Sequence, residues 1–373
     1  MPALSHLTAG LHPAGIALTF ALGGAGGILA LAAGMPLGML FGALLTTALA
    51  AGFGLRPFGH PVAVPQKWRF VLVPVIGVAI GAYFPPDFLD HAARWWPSLM
   101  ALVLFVPAAH ALSYALYRMS DRVDPRTAFF SAMPGGFIEA LEMGEKAGAA
   151  MPMLIMLQFL RLVLCILFIP LGFALFYGQT VGSGADIAPP GGGGPLTVPN
   201  VAILFACGAL GWWIAHRLRL PAAVLTGPLA ASALVHATGL TTAVPPAWAI
   251  VVTQWVMGAS LGARFSGFPR RQIGTALALS VVSVMAVLTL AALLALALAG
   301  VTGEPAPAVL LAFAPGGISE MSLVALSLQM AVVFVTLHHL ARIVLAVLVA
   351  RLGLRLLPGL ADPTTRPKEN GRQ

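Results

Sequence analysis

The residues with the most chemical character fall into two matching sets. In "AMPGGFIEALEMG", residues 132–144, Glu139 stands three residues past a turn made of Pro134, Gly135 and Gly136. In "AFAPGGISEMSLV", residues 312–324, Glu320 stands three residues past Pro315, Gly316 and Gly317. A carboxylate in the first turn of a helix satisfies free N–H groups and the helix dipole. In an apolar chain the same group can also carry a proton or hold a cation on a transport path. Both readings stand for Glu139 and Glu320, and they are compatible. Glu142 and Glu145 continue the first stripe at a spacing of three, with Lys146 beside them, but their counterparts in the second set are Leu323 and Leu326. That asymmetry reads as a solvated, cytoplasm-facing side of the first copy.

Two arginines extend the pattern. Arg161 and Arg342 each lie about ten residues inside an apolar run, which at ~1.5 Å per residue puts them ~15 Å deep, near a bilayer midplane. An arginine at that depth costs at least about 2.5 kcal/mol unless it is paired or hydrated. Three roles suit it: an ion pair with Glu139 or Glu320, capping of free carbonyls at a broken helix, or reception of an anion such as a carboxylate. Gln158 and His339 hold the equivalent position one turn earlier, and His339 could carry a proton. His338 reads as a packing residue, and the same bland reading applies to His339.

Other chemistry is missing. There is no Gly-rich loop followed by Lys and Ser/Thr, no His/Cys metal spacing and no nucleophile-elbow serine. Cys165 and Cys207 lie within apolar runs and read as small hydrophobes. No polar segment is large enough for a DNA-binding module. The expectation is a protein that is not an enzyme, holds no metal or other cofactor, and makes no direct contact with nucleic acid.

The elements that position these residues must be membrane helices. Of the 373 residues 59% are hydrophobic and 9% charged, against roughly 25% charged in a soluble domain. The formal net charge of +8 comes from arginines between apolar runs, where topology determinants belong. Residues 1–13 contain no Lys or Arg, so the first apolar run reads as a helix rather than a cleavable signal. Ten candidate spans follow: 14–33, 36–53, 69–84, 98–117, 151–177, 200–216, 221–238, 247–263, 273–299 and 331–350. A Gly/Pro-rich linker, 178–199, divides a first membrane repeat (1–177) from a second (200–357), and residues 358–373 read as a disordered tail.

The halves repeat each other. "VIGVAIGAYF" (75–84) matches "VMGASLGARF" (256–265), "FSAMPGGFIEAL" matches "LAFAPGGISEMS", and "QFLRLVL" matches "HLARIVL", all offset by 181 residues. "GMPLGMLFGALLTTAL" resembles "LRLPAAVLTGPLAASAL" at a slightly different offset. Lys and Arg cluster at 54–69 and 118–126 in the first half, and at 217–219, 264–271 and 351–355 in the second, while the linker has none. With the basic connections in the cytoplasm, each half crosses five times and the second enters with opposite orientation. The Pro-Gly-Gly segments are then re-entrant, which is tolerated where backbone is buried in protein or lines water. Counting them as full spans gives twelve crossings instead, and places several arginines outside.

The duplicated Pro-Gly-Gly-x-x-Glu pattern, "PGGFIE" and "PGGISE", resembles the bacterial AbrB membrane-protein family, over about residues 16–356. Members are commonly labelled regulators of gene expression, and some ammonia monooxygenase. The family shares only a name with the small DNA-binding AbrB proteins. Neither label has residues behind it here, and the resemblance carries over no catalytic residue. The expectation is an all-α, inner-membrane protein of two inverted five-span repeats, with both termini cytoplasmic. It would act as a secondary transporter of a small, anionic solute. Pro134, Gly135, Gly136, Arg161, Pro315, Gly316, Gly317 and Arg342 would bind that solute; Glu139, Glu320, Gln158 and His339 would couple a proton or ion. Its partners would be the lipid bilayer and the solute. A membrane-embedded regulator that does not touch DNA is the alternative, and an integral-membrane oxygenase a third.

Overall fold

In a chain with so few polar side chains, backbone N–H and C=O groups have to find each other locally, and helices do that. The structure, a computed structural model, describes residues 8, 11–35, 37–56, 59–84, 88–177, 193–268, 270–328 and 330–357. The tail and most of the expected linker lie outside the described residues.

Among the described residues there are fifteen α-helices and no strand. The first eight are α1 (Pro13–Ala32), α2 (Gly38–Gly52), α3 (Gln66–Gly81), α4 (Phe88–Ala92), α5 (Trp96–Arg118), α6 (Pro125–Ser131), α7 (Phe137–Lys146) and α8 (Met151–Tyr177). After the linker come α9 (Val198–Arg217), α10 (Ala223–Ala237), α11 (Ala247–Gly262), α12 (Arg270–Thr302), α13 (Ala306–Phe313), α14 (Ile318–Ser327) and α15 (Val332–Leu356). A 3₁₀ turn, Ala263–Phe265, follows α11.

Each of the ten expected spans is a helix, but they are not alike. Six are long and apolar enough to cross a membrane: α1, α5, α8, α9, α12 and α15. Helices α2 and α10 have 15 residues, and α3 and α11 have 16. At ~1.5 Å per residue these reach ~23 Å, short of a ~30 Å hydrocarbon core.

The short helices pack on one another across the two halves. A Cβ built on Gly77 of α3 would lie 2.6 Å from the Leu225 carbonyl of α10, and one on Gly81 would lie 2.5 Å from that of Leu229. Gly258 and Gly262 of α11 meet the Leu40 and Leu44 carbonyls of α2 in the same way. Small residues let helix backbones come this close. Glycine Gly-x-x-x-Gly spacing thus locks α3 onto α10 and α11 onto α2.

The buried core runs through both halves of the chain, and within it α12 packs on both α5 and α8, and α15 on α5. Among the six long apolar helices α8 is the most enclosed, at 72% buried, and α9 the least, at 17%. Against this core lie two broken segments. Asp124 caps α6 by accepting from the Thr127 N–H, and α6 ends at the Pro134 turn; Gly136, at φ +67°, then opens α7 in a left-handed conformation that suits glycine. In the second segment α13 and α14 flank Pro315, Gly316 and Gly317.

Candidate functional site

A helix that stops leaves its last carbonyls without partners. The break after α6 leaves them inside the protein, and α8 supplies the donors. Gln158 Nε2 donates to the carbonyls of Phe130, at 2.7 Å, and Ser131, at 3.2 Å. One turn on, Arg161 Nη1 donates to the Met133 carbonyl. In the second segment α15 does the same: Arg342 donates to the Ala314 carbonyl through Nη1 and to the Gly316 carbonyl through Nη2, the latter at 2.6 Å. Both guanidiniums therefore sit as the carbonyl-capping reading describes.

The expected ion pairs are not there. Glu320, 1% exposed, pairs with Arg69 Nη2 at 2.6 Å, not with Arg161 or Arg342. The reason is positional. The first turn of α14 packs against α3, whose own first turn carries Arg69. Glu139 is half-buried on α7 with its carboxylate folded back toward Gly136, and among the described residues it forms no ion pair. Arg161 and Arg342 are 6% and 1% exposed and have no carboxylate partner among the described residues. The Nε of each is buried without a hydrogen bond. They are near enough for their charges to act on each other and on Cys165.

The remaining site residues fall around this pair. Pro134, Gly135, Gly136, Pro315 and Gly316 are buried and Gly317 half-buried. The first turn touches the other half: a Cβ on Gly135 would lie 3.5 Å from the Arg342 carbonyl. His339 lies opposite Gln158 in the repeat but caps nothing; its Nδ1 faces the Val335 carbonyl at 2.9 Å, so that nitrogen carries the hydrogen and the buried Nε2 is left without a partner. His338 is engaged on both nitrogens, with the Phe334 carbonyl and the Ser98 hydroxyl, each at 2.8 Å. Glu142, Glu145 and Lys146 are exposed, whereas Leu323 and Leu326 are buried.

Two groups escaped the sequence reading. One is Arg69, together with Arg264, whose guanidinium lies over the rings of Phe137 and Phe159 at 5.3 and 5.8 Å and interacts electrostatically with Arg69 and Glu320. The other is a polar cavity between the two turns, lined by Pro134, Pro315, Arg161, Tyr117, Ser113, Ser131 and Ser283. Hydroxyls in otherwise apolar helices α5 and α12 are the only sequence signal for it. The cavity is small, about 10 Å³, room for one water-sized sphere.

An all-helical chain with six long apolar spans and buried charge at broken helices is a multi-pass membrane protein. Residues 49–358 match the family described as AbrB, "Transition state regulatory protein AbrB". The chain belongs to the AbrB family. It is 26% identical over 346 residues to "Uncharacterized protein YhjN" of Bacillus subtilis (strain 168), covering 88% of this chain and 89% of that protein. It is 22% identical over 291 residues to "Putative regulator AbrB" of Escherichia coli (strain K12), covering 76% of this chain and 80% of that one.

Proposed function

We propose that this AbrB-family protein is a secondary transporter of a small anionic solute. One observation carries the reading: Arg161 and Arg342 are buried at two broken helices with no carboxylate partner among the described residues. Two guanidiniums in a low-dielectric interior call for negative charge, and an anionic solute supplies it. In this reading the chain is two inverted five-span repeats whose Pro-Gly-Gly segments re-enter the bilayer and meet at the solute path. The matching interlocks of α3 on α10 and α11 on α2 support that architecture. So do Leu37 and Ala222, at φ 47° and 50°, which open α2 and α10 with the same left-handed cap.

The protein resides in the bacterial inner membrane with both termini in the cytoplasm. It performs no catalysis, needs no cofactor or metal and touches no nucleic acid; its partners are lipid and the solute. Glu139, Glu320, Gln158 and His339 are the candidates for proton or ion coupling. The test is uptake of small carboxylates into proteoliposomes. Arg161→Ala is expected to slow uptake at least about 10-fold, the loss of one charge-assisted contact; uptake unaffected by the substitution removes Arg161 from the mechanism. The words "regulatory" in the family's description and "regulator" in the name of the Escherichia coli relative favour a second reading, a membrane-embedded regulator without transport. That reading predicts no uptake of any solute, and expression changes that survive Arg161→Ala.

A further inference from the structure

We infer that the cavity between the two Pro-Gly-Gly turns is a binding site for a single monatomic anion of halide size. This goes beyond the transport reading and rests on it only for the cavity's place beside the solute path; the halide here is a co-bound ion distinct from the organic solute. The binding itself is argued from the cavity alone.

Consider which hydrogens can point inward. Ser283 Oγ donates to Ser113 Oγ at 2.9 Å. Each hydroxyl has one hydrogen. Ser283 has used its own on Ser113, which leaves the Ser113 hydrogen to turn into the cavity. Ser131, 1% exposed, lines the same space, and its Oγ is buried with no partner. Arg161 lines it as well, with its Nε unpartnered and its charge unmatched by any carboxylate among the described residues. Three helices thus bring spare donors to the lining of one cavity, in a setting with an excess of fixed positive charge. An unmade buried donor is costly, and an anion satisfies several at once.

Size decides which anion. Room for one water-sized sphere excludes a carboxylate with its carbon skeleton, whereas a monatomic halide, somewhat larger than water, needs only a small displacement of the lining. Water fits by size but leaves the guanidinium charge unanswered. Pro134 and Pro315 both wall the cavity, so an anion there touches the turns of both halves at once.

The test uses the full chain in lipid nanodiscs, with sodium gluconate replaced stepwise by chloride, bromide or acetate at constant ionic strength. Melting followed by tryptophan fluorescence is expected to show a saturable rise with chloride and bromide and none with acetate. Ser131→Ala and Ser113→Ala are each expected to raise the apparent Kd for chloride about 10-fold or more. Should those variants fold poorly, ³⁵Cl line broadening by the wild type, reversed by bromide, reads the same site. Equal melting in chloride and gluconate with no broadening overturns the proposal. So does a chloride effect undiminished in both serine variants, or acetate acting as strongly as chloride. Organic-anion uptake in halide-free vesicles without any chloride binding removes this site and leaves the transport reading intact; chloride binding without uptake of any organic anion does the reverse.

Discussion

Glu320 and Arg69 show how much a buried charge depends on its partner. The carboxylate is almost wholly enclosed and the guanidinium opposite it is the group that balances it. Arg69→Met leaves that carboxylate buried without its hydrogen-bonded partner, with only the Arg264 charge nearby, and the expected loss is up to about 3–5 kcal/mol. Arg69→Met combined with Glu320→Gln is expected to recover most of it, because the buried carboxylate charge goes with its partner; a double-mutant cycle on melting temperatures measures the coupling. A second carboxyl, Glu304 in the connection between α12 and α13, is pushed above the ordinary carboxylate range by burial, against the pull of a hydrogen bond from Trp95 Nε1 at 3.2 Å. A carboxyl raised in this way binds its proton more tightly in the folded chain. Its contribution is full below the unfolded value and is lost as pH rises through the folded one. The melting temperature of the wild type should therefore fall with pH, just above the usual carboxylate range, relative to Glu304→Gln. A flat difference between the two across that window refutes it.

At the scale of elements, the glycine interlocks are the most exposed to substitution. A leucine at Gly81 or Gly258 meets backbone carbonyls that cannot swing aside. Each change is expected to cost about 1–3 kcal/mol or more and to lower the melting temperature, while leucine at Gly52, where a Cβ meets nothing within 4 Å, should be tolerated. Much of this level was legible beforehand. The ten apolar runs are ten helices, and Pro-Gly-Gly marks the two places where helices break, because proline and glycine act through the backbone of their own segment. The short lengths of α3 and α11 were legible in the runs 69–84 and 247–263, whereas α2 and α10 are shorter than their runs, 36–53 and 221–238, since hydropathy runs on through the apolar connections beside them. The partner of Glu320 was not legible. Arg69 sits at the edge of a basic connection and looks like a topology charge; only the packing of α3 on α14 gives it another task. The hydroxyl cavity was hidden for a similar reason: Ser113, Ser131 and Ser283 come from separate helices and share no spacing.

At the scale of the molecule, the proposed inverted arrangement makes a simple prediction about sides. Reporter fusions at Arg122 and Pro190 should report opposite faces of the membrane, with Arg122 in the cytoplasm; the same face for both refutes the topology. Pro190 lies outside the described residues, so the prediction there rests on the charge pattern alone.

The interlock of the two halves also sets an order of events during synthesis. Helices α2 and α3 leave the ribosome long before α10 and α11 exist, and at ~23 Å they are too short to be comfortable alone in a ~30 Å slab of lipid. Their glycine faces fit backbone that has yet to be translated. The first 177 residues are thus inserted as an unfinished body, held until the second half arrives to close it. A chain cut short at the linker has one side of each clasp and nothing to fasten it to, which makes it ready prey for the proteases that clear unassembled membrane helices.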